Sequence, residues 1–322
     1  MKLQSSNVYI IIGFITSLAN ATMFTTYAVY QVIALGLSPL QLLLVGMVLE
    51  VTVLVFEGIT GVMADVYSRR RSVIIGMFVL GFGFLLEGGA IWLAAASPLL
   101  SAFMWLLLAQ VVFGIGATFI SGADTAWIVD EVGEESVGRI FLKAKRIGLF
   151  GTLAGIALSV GLSALGPNLP YVAGGIMYLI LGIFLIFTMK ETKFERAVNG
   201  SQAVSHWSAM KVTWLSGTRV IRRNPVLLTI LIVTIFSGAA SEGYDRLCQA
   251  HLIVDVGLPL DERFAPALWF GLIAVLSTLL SLMVMWIAEK RIEMSSERVA
   301  FRGIDRTDSC ADRSHSSIGV LV

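Results

Sequence analysis

Residues 61–71, with the sequence GVMADVYSRRR, form a charged turn between two long apolar segments. One carboxylate, Asp65, and three consecutive arginines, Arg69, Arg70 and Arg71, fall within this turn. The whole chain is 57% hydrophobic and only 14% charged, whereas a soluble domain carries about 25% charged residues. Such a chain could not cover itself with polar surface in water, so we expect most of it to lie in lipid.

Eight segments are long and apolar enough to cross a bilayer, which requires about 20 residues each. Turn residues separate several of them, such as GLSP at 36–39 and GPNLP at 166–170. SLANA at 17–21 resembles a signal-peptide cleavage site, but the apolar run continues well beyond it, which favours a span. The sequence therefore predicts an all-α integral membrane protein. The predicted spans are 8–33, 39–61, 72–97, 101–127, 144–166, 170–189, 225–248 and 264–288.

Basic residues concentrate on one side of these predicted spans. If the N-terminus is inside, the outer side keeps only Arg246 and Arg263, and the short outer loops at 34–38, 98–100 and 167–169 contain no basic residue. By the positive-inside rule, this asymmetry predicts a multi-pass cell-membrane protein with a cytoplasmic N-terminus. The few charges form no continuous basic face, so no nucleic-acid partner is expected.

Several polar or ionisable side chains lie inside the predicted spans, where a charge costs roughly 2.5–3.5 kcal/mol on insertion scales. Glu50 and Glu57 are seven residues apart and therefore share one helical face. Such groups could carry a proton, bind a cation or contact a substrate, or they could form internal pairs that only lock helices together. Asp245 and Arg246 in particular could pair with each other. The candidates for a substrate or ion path are Asn20, Glu50, Glu57, Glu87, Glu242, Asp245 and Arg246.

The side chains of the charged turn suit a helix junction. Gly61 permits a close backbone approach or a sharp helix exit, and Asp65 and Ser68 can accept hydrogen bonds from the first N–H groups of the next helix. The arginines can form forked hydrogen bonds with carboxylates of neighbouring helices, although any short inner loop also collects arginines for topological reasons alone.

The order of these residues, G-x-x-x-D-x-x-S-R-R-R, resembles the signature loop of the major facilitator superfamily, which lies between helices 2 and 3 as the turn does here. The block of six spans, the basic segment after it and the return of spans also resemble that family's two halves. The resemblance implies an MFS-like helical bundle with a complete six-helix N-terminal half and two helices of the second half. The implied segments are 1–189 for the first half, 190–224 for a cytoplasmic linker, 225–290 for a partial second half and 291–322 for a polar, disordered tail. Within the linker, residues 206–223 could form a helix on the membrane surface or a loosely ordered basic segment.

In that family the loop is a gate latch, in which its Asp and first Arg join a charge network with an acidic residue at the inner end of helix 4. The matching positions are Asp65 and Arg69, with Asp130 as the helix 4 partner and Asp124 as the second choice. Independently of the resemblance, an Arg–carboxylate pair at a partly dry helix end favours one of two packings. The predicted gating loop comprises Gly61, Asp65, Ser68, Arg69, Arg70, Arg71 and Asp130.

The resemblance implies a secondary transporter of small organic molecules that works by alternating access on an ion gradient, with protons as the candidate coupling ion. The segments SGADTAWIVD and SEGYDRL are similar to segments of bacterial members thought to export drugs, which favours efflux. Two departures give no support to proton antiport. Gln110 stands where many proton-coupled members have an arginine, and the antiporter glycine–proline motif of helix 5 does not occur.

The chain holds fewer spans than the family's usual two six-helix halves, which favours a truncated or frame-shifted gene product over a genuine eight-helix protein. A non-transporting fragment or scaffold is therefore the alternative function. A membrane-embedded enzyme is disfavoured because the sequence contains no metal-ligand spacing, nucleophile elbow or phosphate loop. No catalytic residue, metal or cofactor is expected, and no motif indicates an oligomeric state.

Overall fold

The computed structural model describes residues 3–96, 100–193, 224–256, 266–287 and 290. Most of the predicted linker and all of the predicted tail at 291–322 lie outside these residues, as does the surface helix considered for 206–223. Chain contacts divide the protein into two units, Met1–Val275 and Leu276–Val322. The site described below lies in the first unit.

All regular structure in the described residues is helical, and seven helices there are long and apolar enough to cross a membrane. These seven correspond to the first six predicted spans and the eighth, and the seventh predicted span is helical as well. The predicted all-α membrane fold is thereby confirmed. The helices are α1 Ser5–Phe24, α2 Pro39–Val66, α3 Arg69–Ala96, α4 Ala102–Ile120, α5 Ala123–Val132, α6 Glu134–Leu165, α7 Leu169–Thr188, α8 Pro225–His251 and α9 Pro266–Ile287.

Local sequence signals begin several of these helices. Ser38 caps α2 in a capping box, in which the Ser38 hydroxyl accepts from the Gln41 backbone N–H and the Gln41 side chain accepts from the Ser38 N–H at 2.9 Å. Pro39 follows at the first helical position, where its missing N–H removes no helical hydrogen bond. Asn224 caps α8 in a similar way, again before a proline.

Two helix boundaries differ from the predicted spans. The predicted span 101–127 is divided into α4 and α5 at Gly122, and α6 begins ten residues before the predicted 144–166, directly after Gly133. Both glycines have positive φ, +73° and +85°, which other residues adopt at a steric cost. The glutamates in the first turn of α6 suit a helix N-terminus. Four basic residues around the start of the fifth predicted span therefore lie on α6, namely Arg139, Lys143, Lys145 and Arg146. At about 1.5 Å per residue, α6 is longer than a bilayer's hydrocarbon core.

Small residues allow the helices to pack closely, and two of them, Gly151 and Gly155, form a GxxxG pair on α6. A Cβ on Gly151 would lie 2.6 Å from the carbonyl oxygen of Phe14, and one on Gly155 would meet the carbonyl oxygen of Leu18 on α1. Gly114 faces Thr52 of α2 in the same way, at 2.8 Å.

Gly61 does not play the predicted part of a close approach or a helix exit. It lies inside α2, which continues to Val66, and a Cβ there would meet no atom within 4 Å. The sequence predicts the end of the second span at Gly61, but α2 continues to Val66. The prediction is wrong because a helix can extend beyond the apolar layer and carry charged residues there.

An aromatic cluster joins α1, α3, α4 and α7 in the middle of the first unit. Phe84 is fully buried, and its ring centroid lies 4.7 Å from that of Phe113 and 5.4 Å from that of Tyr178. Phe24 of α1 contacts both phenylalanines and Tyr171. These contacts fix the positions of the polar side chains that lie beside them.

Candidate functional site

The charged turn is a two-residue junction between α2 and α3. Only Tyr67 and Ser68 separate the last residue of α2 from the first residue of α3. The Ser68 hydroxyl accepts a hydrogen bond from the backbone N–H of Arg71 at 3.1 Å, so Ser68 caps α3. Because the junction is so short, the side chains of the turn are held at fixed positions relative to both helices.

Arg69 contacts two other residues of the predicted gating loop, Asp65 and Asp130. Its Nη1 forms an ion pair with the carboxylate of Asp130 on α5 and also donates to the carbonyl oxygen of Ala126 at 2.9 Å. Its Nη2 lies 3.7 Å from Asp65, whose side chain is 59% exposed. The guanidinium therefore connects the end of α2, the start of α3 and the end of α5. Asp124 lies elsewhere, with its carboxylate accepting from the Thr125 N–H at 2.6 Å.

Arg70 and Glu191 tie the start of α3 to the end of α7. Arg70 donates from Nε to the carbonyl of Met189 and from Nη2 to the carbonyl of Ile186, both at 2.6 Å. In return, Glu191 accepts from the backbone N–H groups of Arg69 and Arg70 at 2.8 and 3.2 Å and from the Ser68 hydroxyl at 2.5 Å. Each side chain thus satisfies main-chain groups that a helix end leaves without a partner. Arg71 is exposed.

The residues after Glu191 are fixed to α5. Glu131 accepts from the backbone N–H groups of Thr192 and Lys193 at 2.6 and 3.2 Å, and the Trp127 indole donates to the carbonyl oxygen of Lys190 at 2.6 Å. We name residues 189–193 the exit segment. Sequence reasoning missed Glu191 and Glu131, because several of their partners are main-chain groups that no side-chain pattern reveals.

Replacing Glu191 with alanine should destabilise the protein by about 1–2 kcal/mol, because the first N–H groups of α3 lose their acceptor. The measurement is the thermal unfolding midpoint of the purified protein in detergent. Glu135→Ala is the matched control, since Glu135 is exposed in the first turn of α6. Equal midpoints for the two variants would show that Glu191 does not hold α3.

A cavity of about 760 Å³ lies among α1, α4, α5 and α6, with α3 and α7 behind it. The Tyr178 hydroxyl donates to the Asn20 side-chain carbonyl at 2.8 Å on its wall. Asp124 and Lys145 supply one charge of each sign, and aromatic side chains supply much of the rest. Asn20 is thus the candidate path residue that lines this cavity. Its lining also includes Tyr9, Thr16, Ser17, Phe24, Phe113, Thr125 and Phe141.

The two glutamates of α2 lie apart from the buried groups. Glu57 accepts from the Ser121 hydroxyl at 3.1 Å, and Ser121 lines the cavity. Glu50 is exposed and forms no hydrogen bond or ion pair with another residue in the described ranges. Glu57 therefore borders the cavity, whereas Glu50 presents an uncompensated carboxyl group on the α2 surface.

Glu87 is the most buried of the candidate residues, with 1% of its surface exposed. One carboxylate oxygen accepts from Gln31 Nε2 at 2.9 Å and the other from Gln110 Nε2 at 3.0 Å. The Tyr30 hydroxyl donates to the backbone carbonyl of Glu87 at 2.9 Å, and Tyr171 lies 3.5 Å from Gln31 Nε2. We name Glu87, Gln31 and Gln110 the Glu87 cluster. Sequence reasoning noted Gln110 only as a departure from a family pattern.

On α8, Arg246 pairs with Glu242 at 2.8 Å rather than with Asp245, which corrects the expectation of a pair between neighbours. Residues four apart share a helix face, whereas adjacent residues point in different directions. The pair packs at Gly46 of α2, where a Cβ would lie 3.1 Å from Arg246 Nε. The hydroxyl of Tyr27, which lies just after α1, donates to the backbone carbonyl of Asp245, whose side chain is exposed.

Comparisons with known proteins agree on the family. A sequence model of the Major Facilitator Superfamily matches residues 9–303. An uncharacterized MFS-type transporter, YxaM of Bacillus subtilis (strain 168), is 25% identical over 215 residues, which are 66% of this chain and 50% of that protein. The aligned part of this chain thus spans about half the length of that curated relative. A crystal structure of the nucleoside transporter NupG (D323A mutant) matches with a TM-score of 0.66 at 12% identity, covering 89% of this chain and 69% of NupG, which shows a shared fold.

Proposed function

Because the chain belongs to the major facilitator superfamily, we propose that it is a secondary transporter that exports small organic molecules by alternating access. The observation that carries this proposal is the network of Asp65, Arg69 and Asp130 at the α2–α3 junction. An Arg–carboxylate network between separate helices can hold one arrangement of a bundle and release it when the helices move. The family membership also places the chain among transporters rather than enzymes.

In this proposal the cavity is the part of the substrate path that the first half contributes. Its volume of about 760 Å³ lies in the range of small-molecule sites. Asn20 and Tyr178 offer directional hydrogen bonds, and Asp124 and Lys145 offer charge, within an otherwise apolar and aromatic wall. Such a lining suits an organic molecule that has both an aromatic surface and polar groups.

Efflux and the ion gradient are the finer parts of the proposal. The resemblance of SGADTAWIVD and SEGYDRL to segments of drug exporters supports efflux, and protons are the proposed coupling ion. The distribution of basic residues supports a cell-membrane location with the N-terminus in the cytoplasm. Because the fold is similar to that of a nucleoside transporter, uptake of a nucleoside is the alternative activity that we would measure.

The direct test is transport by the purified full chain in lipid vesicles under an imposed pH gradient. We expect ethidium, a cationic aromatic probe, to move against its concentration gradient into acidic vesicles, faster than in protein-free vesicles. Labelled uridine in the same vesicles tests uptake. Movement of neither probe above the protein-free rate would favour the alternative of a non-transporting fragment or scaffold.

Tyr178→Phe should raise the ethidium concentration for half-maximal transport by about fivefold, because Asn20 loses the hydroxyl that orients it, worth about 1 kcal/mol. The maximal rate should change little. Tyr244→Phe is the control, since Tyr244 is exposed on α8 and does not line the cavity. An unchanged half-maximal concentration in Tyr178→Phe would exclude this part of the cavity from the ethidium path.

A further inference from the structure

The Glu87 cluster has more hydrogen-bond acceptors than donors. Gln31 and Gln110 each direct an amide nitrogen at one Glu87 oxygen, yet the amide oxygens of both glutamines accept no hydrogen bond from the described part of the chain. Gln31 is 0% exposed and Gln110 is 2% exposed, so bulk solvent does not reach these oxygens. A buried acceptor without a partner is costly, which indicates that a hydrogen-bond donor or a cation completes the cluster in another state.

We propose that Glu87 binds the coupling proton and that Gln31 and Gln110 are its exchanging hydrogen-bond partners. This inference rests on the proposed ion-coupled transport and names the site of the coupling. When Glu87 is ionised, both oxygens accept amide N–H groups, as observed. When a proton binds, one oxygen becomes a donor, and the facing carboxamide must turn over to present its oxygen. The oxygen that lacks a partner in one state thus gains one in the other.

A proton fits this cluster better than a metal cation. Both carboxylate oxygens already accept an amide N–H at 2.9–3.0 Å, so a metal cation bound there would have to displace these donors. A sodium ion would need several oxygen ligands and would require both carboxamides to turn and separate. A proton needs only the rotation of one carboxamide.

The position of Gln31 connects the cluster to the rest of the bundle. Gln31 lies in a π-helical segment, Val29–Ala34, that follows α1, and such segments often mark functional positions in helices. The residues before this segment include Tyr27, which donates to the backbone of α8, and Asn20 and Phe24, which line the cavity. Gln31 therefore follows directly the segment of chain that contacts both the cavity and α8.

Other charged or titratable groups that face Glu87 come from three elements. Tyr30 lies in the π-helical segment, and its hydroxyl bonds the Glu87 backbone. Tyr171 of α7 lies against both Gln31 and Glu87, and Arg246 of α8 is the positively charged group that faces the Glu87 carboxylate. Arg246 already forms an ion pair with Glu242, so its positive charge is shared between the two glutamates and does not fully neutralise Glu87.

The first test is infrared spectroscopy of the purified full chain, which needs no substrate. We expect a carboxylic-acid carbonyl band that grows on acidification, is lost in Glu87→Gln and is kept in the control Glu135→Gln, whose carboxylate is exposed. Gln110→Leu should move this band, because the group has one partner fewer, while the band still responds to pH. Gln110→Leu also serves if Glu87→Gln does not fold.

Three results would overturn the proposal: a pH-sensitive band that survives in Glu87→Gln, a Glu87 band that does not respond to pH, or a band that Gln110→Leu leaves in place. If the Glu87 carboxylic-acid band disappears when sodium replaces choline in the buffer at constant pH, the cluster is a sodium site instead.

The second test separates this inference from the proposed function. In vesicles, Glu87→Gln should lower pH-driven ethidium transport at least about tenfold, whereas the control Glu135→Gln, at an exposed position outside the cluster, should keep the native rate. If the native protein transports and Glu87→Gln remains driven by the pH gradient, the inference fails and the proposed function stands. If the native protein moves no probe, the proposed function fails, and the infrared result decides whether Glu87 is a proton site.

Discussion

Arg69→Ala should lower ethidium transport by at least about tenfold while the protein remains folded in the membrane. The Arg69 guanidinium is the one group that contacts Asp65, Asp130 and the Ala126 carbonyl within the described residues. Its removal leaves Asp130 without the charged partner that holds α5 to the α2–α3 junction. Hydrogen bonds to charged groups contribute about 1.5–3 kcal/mol, enough to shift a balance between two packings by tenfold or more.

The control is Arg71→Ala, because Arg71 belongs to the same turn and its side chain is exposed. We expect near-native transport from it, measured in vesicles that contain equal amounts of folded protein. Asp130→Asn should resemble Arg69→Ala, and the exchange Arg69→Asp with Asp130→Arg should recover part of the rate. Equal transport rates in Arg69→Ala and Arg71→Ala would indicate that these arginines only set the orientation of the chain in the membrane.

Gly155→Leu should reduce the yield of folded protein more than any other single change considered for this chain. A Cβ at Gly155 would meet the Leu18 carbonyl oxygen and lie 2.7 Å from the Ala21 Cβ, so α1 and α6 would have to separate. Backbone atoms cannot move aside as a flexible side chain can, and overpacking typically costs about 1–3 kcal/mol even where rearrangement is possible. The expected result is aggregation in size-exclusion chromatography or a strongly lowered unfolding temperature.

Gly161→Leu provides a close control, since Gly161 lies in the same helix and a Cβ there would meet no atom within 4 Å. Gly161→Leu makes the same glycine-to-leucine replacement in the same helix, with the same effect on helix propensity, but it creates no clash. If both variants behave alike, the loss arises from the glycine-to-leucine change itself and not from the α1–α6 contact.

Much of the fold could be predicted from the sequence because membrane spans depend on long apolar runs, which are local properties. The boundaries were harder. Gly122 and Gly133 divide helices where the apolar pattern alone shows one continuous span, and α6 extends through basic residues that resemble a loop. Charge marks where a chain leaves the hydrocarbon layer, but it does not mark where a helix ends.

The site was only partly predictable for a related reason. The meeting of Asp65, Arg69 and Asp130 follows from a recognisable order of residues, and the structure places them together. Glu191 bonds main-chain groups, and Gln31 reaches Glu87 across 56 positions of the chain. Neither contact leaves a pattern in one sequence, because only the packing of α1, α3 and α7 brings these residues within reach.

The exit segment, residues 189–193, has a practical consequence for building hybrids between related transporters. Arg70, Glu131 and Glu191 hold this short peptide to the same helices that carry the charged turn. A crossover point placed at the end of the sixth apolar run would graft foreign residues into those contacts and mismatch both capped helix ends. A crossover placed after Lys193 would transfer the first half together with the exit segment and the contacts that hold it. Hybrids joined at that later point should therefore tolerate a second half from a distant relative better than hybrids joined only a few residues earlier.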